Sequence, residues 1–556
     1  MSLFRKNKNK SNSEKKDAEN KDQKSNSGKF QSNDAAKENN NLNSGSADES
    51  TGYTNEKTKE MKSNQSSDNN EKRLSSSFED NIKMIEELFD GDDTIVKRHF
   101  QNNHNLKLYI FYSDGLVNSV VINEHIMQPL LECEVKKGHD SIDNLLNHII
   151  NVSETKIVSK LKDIVQSVNY GDTIMLVDGQ DDAIIMSSKA FFMRAAVEPD
   201  NEKSANGPRE GFTEVLLANL SLVKRRLRTD KLKMKYYSFG RRTHTQACIC
   251  YIDGIVNEEV LKELYKRLDK IDIDSVLDVN YLAEYIRDSK YTLFRQSGIT
   301  EKPDVVVAKI LEGRIAIFVD GSPVVMTVPF LFIENFQMGD DYYTNYFYGT
   351  IGRLIRISSY FLTILVPALY LAIVAFHKEM LPTVFLINVA AERSGVPFPV
   401  IIEMVVMFIV FDILREAGVR MPSGVGTALS IVGAIVIGQA AVEASLVDAP
   451  VIIIVAFSSI TGLLNPKMGA AVVVFRMFFI ILAGMFGLYG FILSFSILII
   501  HLYNLTSLGV PQLKNYDDIE YENIKDIFIR GPWPKMKTRP SIAQDSIRMK
   551  INNEKE

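Results

Sequence analysis

Hydrophobic and polar positions divide this chain into three regimes. Residues 1–76 are mostly Lys, Asn, Ser, Glu and Asp, a composition too polar to offset the entropy of ordering a backbone, so a disordered tail is expected there. From Ser77 to about residue 345, short apolar runs of strand length alternate with stretches of helical period. From 354 to 503 apolar residues dominate, in runs that approach or exceed the roughly 20 residues needed to cross a hydrocarbon core. The pattern predicts an α/β soluble region followed by an all-α polytopic membrane domain of about four to six helices, with a polar tail at 504–556.

Four soluble segments share one form, an apolar run closed by Asp-Gly: LYIFYSDG at 108–115, TIMLVDG at 173–179, ACICYIDG at 247–254 and IAIFVDG at 315–321. Each reads as a strand entering a tight turn, because Gly accepts positive φ and Asp can bond its own backbone. They match in pairs. YSDGLVN at 112–118 resembles YIDGIVN at 251–257, an offset of 139 from Gly115 to Gly254, and the offset from Gly179 to Gly321 is 142. An internal duplication follows as an expectation: two related α/β lobes, at 77–220 and 221–345. Helical periods fall at 142–150, 157–168, 257–268 and 279–287. A cleft between two such lobes would suit a small ligand.

Between the lobes runs the turn-rich loop EPDNEKSANGPREGF at 198–212, which includes Glu198, Pro208, Arg209 and Glu210. A helix expected at 213–228 then ends in a basic stretch: Lys224, Arg225, Arg226, Arg228, Lys231, Lys233 and Lys235, followed by Arg241 and Arg242. Charge runs are usually solvated faces. Next to a membrane region, this one is also a candidate contact for anionic lipid or an acidic partner surface.

The apolar stretches fall at 355–376, 400–414, 425–442, 451–464 and 471–502. The last would be about 48 Å long as one helix and contains Gly484, Gly487 and Gly490, so a bent helix or a tight hairpin is expected. Arg353 and Arg356, then Arg415 and Arg420, then Lys467 and Arg476, and finally Arg530, Lys535, Lys537 and Arg539 place both flanks inside the cell. That requires an even number of crossings and favours the hairpin. The segment PTVFLINVAAERSGVPFP at 382–399 reads as an interfacial or re-entrant piece. Ionisable residues in apolar spans are costly, so Glu403, Asp412 and Glu443, with Gln439 beside them, are candidate elements of a cation path or of ion pairs between helices.

A net charge of −5 over 556 residues gives no attraction to nucleic acid. Three cysteines do not make a disulfide framework, and they fit a reducing compartment. Cys248 and Cys250 share one face of an expected strand, where burial in a core is favoured over metal binding. No Walker A loop, HExxH, CxxC or GxSxG occurs, so nothing supports an enzyme, a cofactor or a metal site.

Several motifs carry a resemblance. The 198–212 loop, ANLSLVKRRLRT at 218–229, GRRTHT at 240–245, SGVPFP at 394–399, LREAGVRMP at 414–422, GQAAVEA at 438–444 and TSLGVPQL at 506–513 resemble the A-subunit family of GerA-type spore germinant receptors over about 77–540. The resemblance implies a multi-pass protein of the spore inner membrane with a bilobed cytosolic domain. It implies two partners, a transporter-like B subunit that binds the nutrient and a lipoprotein C subunit. It also implies a homo-oligomer acting as a nutrient-gated ion channel. A secondary transporter or a cytosolic small-molecule sensor coupled to the membrane are the other readings. A transporter would need an inverted repeat, and the repeat visible here lies in the soluble part.

Overall fold

The computed structural model describes residues 72–133, 141–190, 199, 202–421, 433, 436–513, 526–540 and 542–548. Most of the tail expected at 1–76, Glu198 and most of the stretch expected at 425–442 lie outside the described residues.

The first lobe opens with α1 (Phe78–Leu88), N-capped by Ser77. Strands β1 (Ile95–Gln101) and β2 (Lys107–Ser113) follow. A π-helical turn (Val121–Met127) then runs into α2 (Gln128–Glu132), and α3 (Ser141–Asn144) continues into a second π turn. The lobe is completed by β3 (Thr155–Val158), α4 (Leu161–Val168), β4 (Asp172–Val177) and β5 (Ala183–Ser187). The sheet is antiparallel throughout, in the order β1-β2-β4-β5-β3. Every residue of β4 is buried, because helices cover both faces of the sheet. Ile174 and Leu176 pack with α1 and α4, and Met175 and Val177 pack with the helices of 121–149.

The second lobe contains α5 (Leu216–Arg226), β6 (Leu232–Phe239), β7 (Thr245–Ile252), α6 (Glu258–Leu268), α7 (Val279–Ile286), β8 (Gly298–Thr300), α8 (Pro303–Leu311), β9 (Ile315–Val319) and β10 (Val325–Val328). Its sheet order, β6-β7-β9-β10-β8, is the order of the first sheet with each strand moved on by five, and it is also antiparallel. The layering matches too: α6 and α7 cover one face, α5 and α8 the other. At the four Asp-Gly turns, Gly115, Gly179, Gly254 and Gly321 all have φ between 77° and 85°, the conformation that made glycine informative in the sequence.

Two local expectations shift. The helical period read at 157–168 begins as β3, because the β-branched Ile157 and Val158 pair with Ile184 and Ala183 of β5, and the helix starts only after Lys160. The helix expected at 213–228 is shorter, α5 spanning Leu216–Arg226, and beyond it Lys233 and Lys235 alternate with the buried Leu232 and Met234 on the edge strand β6.

A short α9 (Asp340–Tyr343) leads into the apolar bundle. It comprises α10 (Tyr346–Phe376), α11 (Thr383–Arg393), α12 (Val400–Arg420), a helical stretch at 436–443, α13 (Ala449–Leu463) and α14 (Gly469–Tyr503). Helix α14 is two antiparallel arms. The rings of Phe475 and His501 are 6.0 Å apart and those of Phe479 and Phe491 6.1 Å. In one straight helix the first pair would be separated by about 39 Å. The chain turns back at Gly487, whose φ of 61° and ψ of −138° leave the helical region.

Apart from α11, and with α14 counted as two arms, these helices alternate in direction. At the end facing the second lobe, Asn465 donates to the carbonyl of Arg356 at 2.7 Å, Lys467 pairs with Glu202 at 3.3 Å, and Thr292 bonds His501 at 3.0 Å. At the opposite end Gly487 lies against Phe376 and His377, and the Asp448 amide donates to Glu403 at 3.0 Å. One hydrophobic core runs from Phe294, Leu331 and Phe332 of the second lobe into Tyr360, Ile364, Phe479 and Leu498 of the bundle.

After α14 the chain returns to the second lobe. The hairpin β11 (Thr506–Ser507) and β12 (Val510–Pro511) buries Leu508 in that lobe's core, and the Gly509 amide donates to Asp288 at 2.9 Å. Residues 526–540 and 542–548 then strap its underside. Arg353 of α10, fully buried, binds Asp526 at 3.0 Å, Gln544 donates to the Ile255 carbonyl at 2.9 Å, and Arg548 pairs with Glu312 at 3.3 Å.

Candidate functional site

The basic stretch is largely occupied within the chain. Lys224 projects from α5 into the first lobe, where its buried ammonium contacts Asp92 at 2.8 Å, Ser113 at 3.0 Å and the Thr94 hydroxyl. Arg225 and Arg226 both hold Glu210, at 2.5 Å each. Burial alone would raise the Glu210 carboxyl, but the hydrogen bonds from the two arginines outweigh it and keep it below the usual carboxylate range. Arg228 stacks on the Tyr170 ring at 3.9 Å. Arg241 pairs with Asp272, and Arg242 lies 3.7 Å from Asp274, both on the surface. Glu202, Ser204 and Ala205 of the preceding loop bind Thr300 and Asp340, so the loop lies against the second lobe and the base of the bundle. Pro208 and Arg209 belong to the same loop. These contacts join the lobes into one body. In addition, the Asp93 amide, in the turn just ahead of β1, donates to the Met234 carbonyl of β6 at 2.9 Å.

The intramembrane candidates separate into two kinds. Glu403 is buried and accepts the Asp448 amide, while Asp448 caps α13 through the Val451 amide at 2.9 Å and pairs with Arg393 at 3.3 Å. Asp412 is held at 2.7 Å by Arg476, whose guanidinium also covers the Phe408 ring at 4.0 Å. Glu403 and Asp412 therefore tie helices to each other. Gln439 and Glu443 are one helical turn apart and joined at 2.9 Å; both are exposed, and Gln439 also borders a groove lined by α12, α13 and α14.

Sequence reasoning read Asp448 and Arg415 only as loop charges that orient the chain, and it did not find the partner of Lys224. Asp448 carried a readable signal, Asp before Ala-Pro, which is an N-cap followed by proline in the first turn. Lys224 carried none, since Asp92 is 132 residues away. Cys248 and Cys250 are fully buried, and burial pushes both thiols up, which keeps them protonated and unreactive. No group of three or more His, Cys, Asp or Glu residues suited to a metal occurs among the described residues.

Cavities mark two further places. One of about 420 Å³ lies between α1, α4 and residues 228–230. Another of about 460 Å³ lies in the bundle between α12, the 436–443 helix, α13 and the first arm of α14.

These features define a class: a layered α/β region whose core continues into an apolar helical bundle. Two stretches of that bundle, Tyr346–Phe376 and Pro466–Tyr503, are long and apolar enough to cross a membrane, although the second doubles back. The chain belongs to the family described as Bacillus/Clostridium GerA spore germination protein, which matches residues 83–542. It is 37% identical over 475 residues to the uncharacterized membrane protein YfkQ of Bacillus subtilis (strain 168), covering 85% of this chain and 92% of that one. It is 37% identical over 481 residues to the spore germination protein KA of the same organism, covering 85% and 88%. The crystal structure of the N-terminal domain of the A subunit of the Bacillus megaterium spore germinant receptor GerK3 is 32% identical, covers 47% of this chain and 98% of its own, and has a TM-score of 0.38.

Proposed function

We propose that this chain is the A-type subunit of a nutrient germinant receptor in the spore inner membrane, and that copies of it assemble around a cation path. Membership of the GerA family and 37% identity to a spore germination protein support the germination role. The observation that carries the conduit is the exposed Gln439–Glu443 pair, on a helix that otherwise offers Val436, Ile437 and Ala440 outward. A carboxylate facing hydrocarbon is expensive, and it is stabilised where copies of the helix surround water.

With α11 left aside and α14 counted as two arms, the described helices run alternately away from and back to the second lobe, so both flanks of the bundle lie on the lobe side. Arg356, Arg415, Lys467 and Arg476 all lie at that end, which agrees with lobes in the cytosol. The matching sheet orders support a duplication of one ancestral lobe. A transporter-like B subunit and a lipoprotein C subunit complete the receptor in this reading. With the assembled receptor in K⁺-loaded liposomes, Glu443→Gln lowers nutrient-triggered K⁺ release several-fold, whereas Glu403→Gln acts by weakening the bundle. Release unchanged in both Glu443→Gln and Gln439→Ala overturns the assignment.

The polar cavity beside α1 and α4, lined by Lys72, Gln166, Arg228 and Asp230, favours a second reading as a small-molecule sensor. Calorimetry of the full chain with amino acids and sugars, comparing wild type with Gln166→Trp, tests it.

A further inference from the structure

We infer that the bundle groove between α12, α13 and the first arm of α14 is a binding site for an anionic phospholipid, with the phosphate on Arg415 and Arg476 and an acyl chain along the apolar wall. The inference rests on the membrane reading above.

Charge is the first observation. Two guanidiniums and one carboxylate line this groove: Arg415, Arg476 and Asp412. Asp412 is taken by the Nη2 of Arg476 at 2.7 Å. The Nε of Arg476 is buried without a hydrogen-bond partner, and the Arg476 side chain is only 2% exposed. Among the described residues Arg415 has neither an ion pair nor a hydrogen bond, and its Nη2 is 3.6 Å from the position a side chain on Gly469 would take. The groove thus holds one positive charge in excess and two guanidinium groups with unused donors. In apolar surroundings such a charge is costly unless an anion meets it, and the planar guanidinium fork fits phosphate oxygens.

Shape is the second. The cavity is about 460 Å³; Asp412, Gln439 and Ser459 are its polar lining beside the arginines, and the rest of its wall is apolar, formed by Phe411, Leu414, Ile452, Ala456, Ile460 and Val472. Ile460 and Leu463 are more than 60% exposed at its rim, which opens it to the surrounding hydrocarbon. Inorganic phosphate would satisfy the arginines and leave the walls empty. A neutral acyl chain would fill the walls and leave the charge unmet. An anionic lipid does both.

Depth is the third. Arg415 neighbours Gly469 at the lobe-side end of the bundle, level with Asn465 and the Arg356 carbonyl. In the proposed orientation that is the cytosolic headgroup layer, where anionic lipids supply a negative surface.

The test uses the full chain in phosphatidylcholine nanodiscs, with native mass spectrometry and thermal melting as readouts. Wild type retains phosphatidylglycerol about tenfold better than added phosphatidylcholine and melts several degrees higher with it. Arg415→Gln removes the preference, and Ala456→Phe, which fills the wall, weakens retention of both lipids. Equal retention of the two lipids by wild type overturns the inference. Stabilisation by inorganic phosphate equal to that by phosphatidylglycerol also overturns it, leaving an anion site without a chain. Disulfide trapping of Ile460→Cys, at the exposed rim, between copies, with loss of bound lipid, overturns it in favour of a contact between copies. Alkaline carbonate extraction separates the two levels of failure. A chain that is extracted from vesicles refutes the membrane reading, and one that resists extraction without a lipid preference refutes this inference alone.

Discussion

At the scale of single residues, Lys224 best shows how a charge reads differently in sequence and in space. Along the chain it is the first of a basic run. In the fold it is 1% exposed and its ammonium is shared by Asp92, Thr94 and Ser113 of the other lobe. Removing one partner of a buried pair costs about 3–5 kcal/mol, because the other charge is left uncompensated. Lys224→Met is expected to lower stability by that order in denaturant titrations of the detergent-solubilised chain, and adding Asp92→Asn to recover much of it. Recovery absent from the double variant would mean that the packing of α5, rather than the pair, was lost. Cys248 and Cys250 were legible because alternation along one strand places both on the same face. Lys224 was not, because nothing local distinguishes a lysine that is solvated from one that crosses to a carboxylate in another lobe.

At the scale of elements, strands ending in Asp-Gly were readable because backbone chemistry is local, and β2, β4, β7 and β9 are the four they predicted. The edge strands were not. β6 carries lysines on its outer face, as edge strands do to deter pairing with other chains, and in sequence those lysines merge with the helix end before them. In α14, length alone argued for a turn and three glycines offered themselves. Gly487 takes it, with positive φ. Gly490 serves the close approach, since a side chain there would overlap the Leu482 carbonyl. A β-branched residue at Gly487 faces both the left-handed backbone and the Phe376 ring. Gly487→Val is therefore expected to cost more than about 2 kcal/mol and lower the melting temperature. Equal melting of wild type and Gly487→Val would show that the two arms turn elsewhere.

At the scale of the molecule, the sequence separated a soluble from an apolar region, but their boundary is not where the fold divides. The second lobe and the bundle share one core, and 526–548 binds both. Such long-range ties leave no periodic trace, so the tail read as a polar appendage. The two lobes differ at one equivalent place. In the first, the Leu116 carbonyl accepts from Ala190, which follows β5 directly; in the second, the matching Ile255 carbonyl accepts from Gln544, nearly three hundred positions along the chain. Removing 542–548 is expected to speed amide exchange around 255–260 and 311–314 while leaving the first lobe protected. Unchanged exchange there would make the strap an ornament. The strap also sets a timetable. The sheet of the first lobe has its backbone partners once residue 190 is made, but in the membrane reading proposed above the second lobe must wait, unfinished, while the bundle is threaded into the bilayer. Its last backbone partner arrives only then, so completion of the lobe nearest the membrane reports that insertion is done.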